Sequence, residues 1–163
     1  LGQHERAISD FDEAARLDPQ YTEAYNNRGI AYGHLGQHER AISEFDESTR
    51  LDPQDAEAYY NRGLSYRYLG QHERAISDFD ESARLDPQDA EAYNIRGLLY
   101  RYRGQHERAI GDYDEAIRLN PQHANAYYNR GLTYSLIGKS IKAERDFAKA
   151  KELGIEAPSP YRP

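Results

Sequence analysis

At 163 residues, 38% hydrophobic and 30% charged, the chain has room for one ordinary domain or a short repeat array, and not for a multidomain enzyme. A formal net charge of −7 argues against a nucleic-acid-binding surface and against anionic lipid. No apolar run approaches the roughly 18 residues of a membrane span, the opening LGQHERAISD lacks a signal peptide's apolar stretch, and the absence of cysteine excludes disulfides and thiolate metal sites.

Residue 1 is leucine rather than methionine, as expected of a trimmed chain or a piece of a longer protein, so that any targeting signal would lie outside this sequence. Cytoplasm is the expected compartment, with periplasm the alternative. In chain order, the block LGQHERAIS occurs at Leu1, Leu35 and Leu69, returns as RGQHERAIG from Arg103, and decays to IGKSIKAER from Ile137. The period is 34. Residues 35–68 and 69–102 differ at only five columns: Glu44/Asp78, Thr49/Ala83, Tyr60/Asn94, Asn61/Ile95 and Ser65/Leu99. The expected organisation is a single array over 1–157, in which 1–21 is the second helix of a partial repeat. Full repeats follow at 22–55, 56–89, 90–123 and 124–157, and 158–163 is a Pro-rich tail.

Each unit reads as two helices, exemplified by Ala56 to Tyr68 and His72 to Leu85. Gly70 supplies the positive φ that ends the first helix, and Pro53, Pro87 and Pro121 fall between helices. Asp55 and Asp89 are expected to cap the helices that follow them, with Glu57 and Glu91 near the positive end of each dipole. In the second helix a 100° step puts Ala75, Phe79 and Ser82 on one arc. Glu73, Arg74, Asp78, Asp80, Glu81 and Arg84 are assigned to the opposite, solvated side. In the first helix Tyr59 and Tyr66 take the core arc, and Gly63 leaves space for a neighbouring helix to approach.

These columns, Tyr-x-x-x-Gly-x-x-Tyr followed by Ala, Phe, a small residue and Pro, resemble the tetratricopeptide repeat. They are Tyr25, Gly29, Tyr32, Ala41, Phe45, Ser48 and Pro53, and they return at Tyr59, Tyr93 and Tyr127 with the same spacing. Tyr113 replaces the Phe in the third set, and Ile155 stands where the last Pro would be. The resemblance implies an all-α fold: an α-solenoid, a right-handed superhelix of stacked antiparallel helix pairs whose first helices line a concave groove. It also implies protein-protein interaction without catalysis or cofactor. Two departures stand out. The family's usual tryptophan is tyrosine in every repeat, and the usual leucine before the glycine is Arg28, Arg62, Arg96 and Arg130. An arginine there is expected to lay its stem over the core and send its head to an acidic side chain.

Catalytic and metal readings give way to simpler ones. Carboxylate pairs such as Asp78/Asp80 and Asp112/Asp114 recur every 34 residues on an amphipathic helix, as a solvated face does. His4, His38, His72 and His106 would sit roughly 8–10 Å apart on stacked helices, too far to converge on one ion, and are expected to pack at the helix-helix turn. Gly138-Lys139-Ser140 lacks the glycine and the strand of a phosphate loop, since position 133 is Thr133.

The face with a surplus of binding chemistry is the first-helix arc opposite the core. Tyr60, Tyr128, Tyr68 and Tyr102 fall there with Asn27, Asn61 and Asn129, while Arg67 and Arg101 edge it and Ile95 interrupts the amide series. Aromatics bury large area at low entropic cost, and an amide can both donate to and accept from a peptide backbone. The expected function is therefore a scaffold that binds an extended peptide or protein segment in its groove. Two alternatives are kept: a homotypic assembly module joined through Ile8 and Phe11 of the open N-terminal half-repeat, and the recruiting array of a larger protein.

Overall fold

The computed structural model describes residues 2–155, so the tail expected at 158–163 lies outside the described residues. Among the described residues there are nine α-helices and no strand: α1 (Gln3–Leu17), α2 (Thr22–His34), α3 (His38–Leu51), α4 (Ala56–Tyr68), α5 (His72–Leu85), α6 (Ala90–Tyr102), α7 (His106–Leu119), α8 (Ala124–Leu136) and α9 (Ser140–Glu152). Contacts divide them into two compact units, Leu1–Pro87 with α1 to α5 and Gln88–Pro163 with α6 to α9. Within each unit successive helices pack as antiparallel neighbours, and first helices also touch each other, α2 with α4 and α6 with α8.

The turns are built from the expected residues. Gly36, Gly70, Gly104 and Gly138 all have φ near +70°. Behind each glycine the next backbone N–H reaches back to a tyrosine carbonyl, as in Gln71 N donating to Tyr66 O at 2.9 Å, which satisfies an orphan carbonyl at the helix end. At the other junction the Asp52 carboxylate accepts from Gln54 N, and Asp55 then caps α4 by accepting from Glu57 N and Ala58 N. Asp89 does the same for α6.

The cores follow the small-large alternation of the repeat. Ala41, Phe45 and Ser48, and likewise Ala75, Phe79 and Ser82, are buried. A glycine faces each ring: a Cβ at Gly63 would lie 3.2 Å from Phe79, and one at Gly97 2.8 Å from Tyr113. Tyr113 is fully buried, and its hydroxyl sits beside Thr133 and Arg101 without a hydrogen bond of ordinary geometry. Burial pushes that hydroxyl's pKa up. A buried, unsatisfied hydroxyl is unfavourable, so Tyr113→Phe is expected to leave the urea midpoint unchanged or raise stability by up to about 1 kcal/mol. A fall larger than that would show that the hydroxyl is bonded to Thr133 or Arg101.

One assignment needs correction. Asp78, Asp112 and Asp146 are not on a solvated face; they are 5%, 7% and 4% exposed. Each is gripped by the arginine sixteen residues before it. Arg62 donates from Nε and Nη2 to the two oxygens of Asp78 at 2.9 and 2.7 Å, and Arg96 and Arg130 hold Asp112 and Asp146 in the same way. The remaining Nη1 of Arg62 reaches Asp46 on the preceding second helix at 2.8 Å, as Arg28 reaches Asp12 and Arg130 reaches Asp114. Burial pushes the Asp78 carboxyl above its ordinary pKa against the pull of Arg62, while the hydrogen bonds to Asp78 hold the Arg62 guanidinium up. The guanidinium also lies over the Tyr59 ring at 5.3 Å, and Arg28, Arg96 and Arg130 lie over Tyr25, Tyr93 and Tyr127. An Arg-Asp clamp on a tyrosine ring thus fills the place of the leucine-tryptophan packing the resemblance implied, joining α2, α4 and α8 to the second helices on either side.

Candidate functional site

In the first unit a groove of about 420 Å³ opens between α2 and α4. Gly29, Ile30 and Gly33 of α2 form one side, Asn61, Leu64, Ser65 and Tyr68 of α4 the other, and His38 and Phe45 of α3 close it from below. The sequence builds this shape directly. Gly29 brings α2 onto Phe45, where a Cβ would stand 2.6 Å from the ring, whereas a Cβ at Gly33 would meet nothing within 4 Å. The second glycine therefore widens the groove rather than tightening a contact.

The groove is mainly apolar, with two unpartnered polar points. The Asn61 amide nitrogen and His38 Nδ1 are both buried and have no hydrogen-bond partner. Such groups are costly to leave unmatched, and here they sit in a concavity lined also by Ile30, Leu64 and Phe45, with His34 and Ser65 as its other polar residues. The Tyr68 ring stacks flat on His38, with centroids 4.6 Å apart and planes 5° off parallel. It is 64% exposed, and Arg67 lies over it at 5.3 Å. The arrangement offers an amide donor for a backbone carbonyl, apolar walls for a side chain and an exposed aromatic lip.

The other residues expected on this arc are placed differently. Asn27 is exposed on α2. Tyr60 meets Phe79 edge-on at 5.6 Å and Tyr128 tilts against Phe147 at 5.8 Å, so both rings buttress the core and do not face wholly away from it. In the second unit Asn129 donates to the Asn94 side chain at 3.0 Å, Tyr102 is 64% exposed with Arg101 over it, and Arg101 Nε is buried beside Tyr113. Ile8 packs against the Tyr32, Ala41 and Phe45 cluster and Phe11 is half-buried, so α2 already covers part of that N-terminal face.

His38, Ile30 and Leu64 were not expected in the site, although one signal for them was present. Ile30, Leu64, Leu98 and Leu132 form an apolar column at the 34-residue period, outside the core columns, and all four stay half-buried. Ile30 packs in part against the Tyr32, Ala41 and Phe45 cluster and in part lines the groove. His38 carried no comparable signal, because its approach to Tyr68 depends on how α3 packs on α4. Of the histidine column, His4 stacks on His34 at 4.9 Å and His38 on Tyr68, as expected of turn-packing residues. Among the described residues no group of three His, Cys, Asp or Glu could hold a metal ion, and no helix is long and apolar enough to cross a membrane.

Models of the tetratricopeptide repeat match residues 1–56, 56–89, 79–111 and 124–153, and a TPR repeat model matches 97–138. The chain belongs to the tetratricopeptide repeat family. Solved structures agree. The tetratricopeptide array is similar to a crystal structure of MamA, with 30% identity and a TM-score of 0.88 over 93% of this chain and 89% of that one. It is similar also to MamA from Desulfovibrio magneticus RS-1, residue 41 to the end, at 28% identity and TM-score 0.87, covering 93% and 86%. YrrB, described as a TPR protein with an unusual peptide-binding site, aligns at 26% identity and TM-score 0.81 over 93% and 78%. No curated protein sequence matches the chain. The fold class is an all-α solenoid of tetratricopeptide repeats, and its character is that of a protein-interaction scaffold.

Proposed function

We propose that this tetratricopeptide array captures an extended peptide or protein segment, and that the α2–α4 groove is where the segment lies. The observation that carries this reading is the unpartnered Asn61 amide in an apolar concavity edged by an exposed tyrosine. Asn61 donates to a backbone carbonyl of the segment, a side chain enters between Ile30 and Leu64, and Tyr68 covers it. The peptide-binding site of the similar YrrB supports the same use of the fold. The array works without catalysis or cofactor.

Peptides selected on the whole chain provide the test. Asn61→Ala removes one neutral hydrogen bond, worth about 0.5–1.5 kcal/mol, and is expected to weaken binding roughly two- to tenfold. Tyr68→Ala removes an anchoring aromatic and is expected to cost about 2 kcal/mol, close to thirtyfold. Both side chains face the groove, so helicity measured by circular dichroism should match the parent. Unchanged affinity in the double variant would remove the groove from consideration and leave end-to-end assembly through α1, read out by sedimentation, as the reading to pursue.

A further inference from the structure

The last helix breaks the charge pattern of its siblings. Aligned at the 34-residue period, Arg145 of α9 stands in the column of Ser9, Ser43, Ser77 and Gly111. Ala148 takes the column of Asp12, Asp46, Asp80 and Asp114, and Lys149 that of Glu13, Glu47, Glu81 and Glu115. These three exchanges turn an acidic helix face basic. The wider distribution runs the same way. Residues 1–87 carry nine Lys and Arg against eighteen Asp and Glu, a charge of −9, whereas 88–163 carry twelve against ten, a charge of +2.

In the second unit this face borders a trough of about 650 Å³, walled by Lys142, Arg145 and Lys149 of α9 and floored by Tyr127 and Tyr134 of α8. Arg130, also at the trough, is already held by Asp114 and Asp146. The other three cations are in a different condition. Lys142 and Arg145 are exposed, and the structure shows no carboxylate paired with either among the described residues. Lys142 instead lies over the Tyr134 ring at 5.3 Å. Lys149 bridges to Glu152 at 2.7 Å, an exposed contact that a ligand carboxylate can replace. At positions i, i+3 and i+7 the three cations share one helix face and span about 10 Å along the axis, while Glu144 falls on the opposite side.

We propose that this trough is a second docking surface, distinct from the α2–α4 groove, and that it takes an acidic peptide segment. Two or three carboxylates of the segment meet Lys142, Arg145 and Lys149, and an apolar side chain between them rests on Tyr127 and Tyr134. A row of about 10 Å suits a few carboxylates and is short for a phosphate backbone, whose binders neutralise many charges along a tract. The chain's net charge of −7 opposes long polyanions further.

The test titrates the whole chain into a fluorescein-labelled dodecapeptide, three copies of Glu-Leu-Glu-Ala, and follows anisotropy. Parent binding is expected to weaken as salt rises, because the contacts are exposed charges. Lys142→Glu/Arg145→Glu should weaken it by tenfold or more, and a peptide with Gln in place of Glu should not bind. Both substituted side chains are exposed, so helicity should be unchanged. Asn61→Ala/Tyr68→Ala, in the other unit, should bind the acidic peptide as the parent does. The proposal is overturned if the charge-reversed chain binds equally well, if the Gln peptide binds as tightly, or if the Asn61/Tyr68 variant loses the acidic peptide. Tighter binding of a thymidylate dodecamer than of the peptide would also overturn it, making the trough a nucleic-acid site.

Discussion

Gly97→Leu is expected to lower the unfolding free energy by about 1–3 kcal/mol or more, because even the first added carbon has nowhere to go. A Cβ at this position would stand 2.8 Å from Tyr113 Cε1 and 3.1 Å from the backbone oxygen of Ala109, and only the first of those can move. The ring is itself fully buried, so its shift is passed to α7. Gly63→Ala should be milder, since its contacts begin at 3.2 Å and are with the Phe79 ring and the Asp78 Cβ. Gly111→Ala gives the opposite sign. That glycine lies within α7, is exposed and would meet nothing within 4 Å. Alanine there gains about 0.5–1 kcal/mol from helix propensity alone. Urea midpoints in the order Gly111→Ala, parent, Gly63→Ala, Gly97→Leu check the packing. If Gly97→Leu melts with the parent, the glycine column is not where helices close on each other.

Much of this packing is legible in the sequence. Helix positions, turn glycines, the Asp55 and Asp89 caps and the Ala75-Phe79-Ser82 stripe all follow from local rules applied at a fixed period. Asp78 departs from the solvated side because it lies about 60° from the centre of the core stripe, where a residue's fate is decided by its neighbour and not by its own helix. Its neighbour was legible in a different way. An acid at 44, 78, 112 and 146 always follows an arginine at 28, 62, 96 and 130 by sixteen residues, a coupling that no single helical wheel displays. In the groove, Asn61 and Tyr68 could be read from their arc, whereas Tyr60 and Tyr128 share that arc yet lean inward on Phe79 and Phe147. A long side chain at the edge of an arc chooses between solvent and core by what the next helix offers, and the next helix offers a ring.

The Arg-Asp clamp carries the other large expected effect. Asp78→Ala should destabilise the chain by about 3 kcal/mol, the lower end of the range for breaking a buried pair. Arg62 would lose two hydrogen bonds, at 2.9 and 2.7 Å, while keeping its contacts to the exposed Asp46 and to Thr49. Those remaining partners are why the loss should not reach the top of the range. Removing both charges tells the clamp apart from ordinary packing. In Arg62→Leu/Asp78→Ala no charge is stranded, and leucine restores the residue usual for the family at that position. The double variant should therefore be more stable than Asp78→Ala, giving a coupling in the double-mutant cycle well outside the additivity expected of independent sites. Glu81→Ala serves as the control, because the Glu81–Arg84 pair is exposed and its loss should leave the midpoint essentially unmoved. Equal midpoints for Asp78→Ala and Glu81→Ala would return Asp78 to the solvated face. The clamp would then be an incidental surface pair and not the joint between the two helices of a repeat.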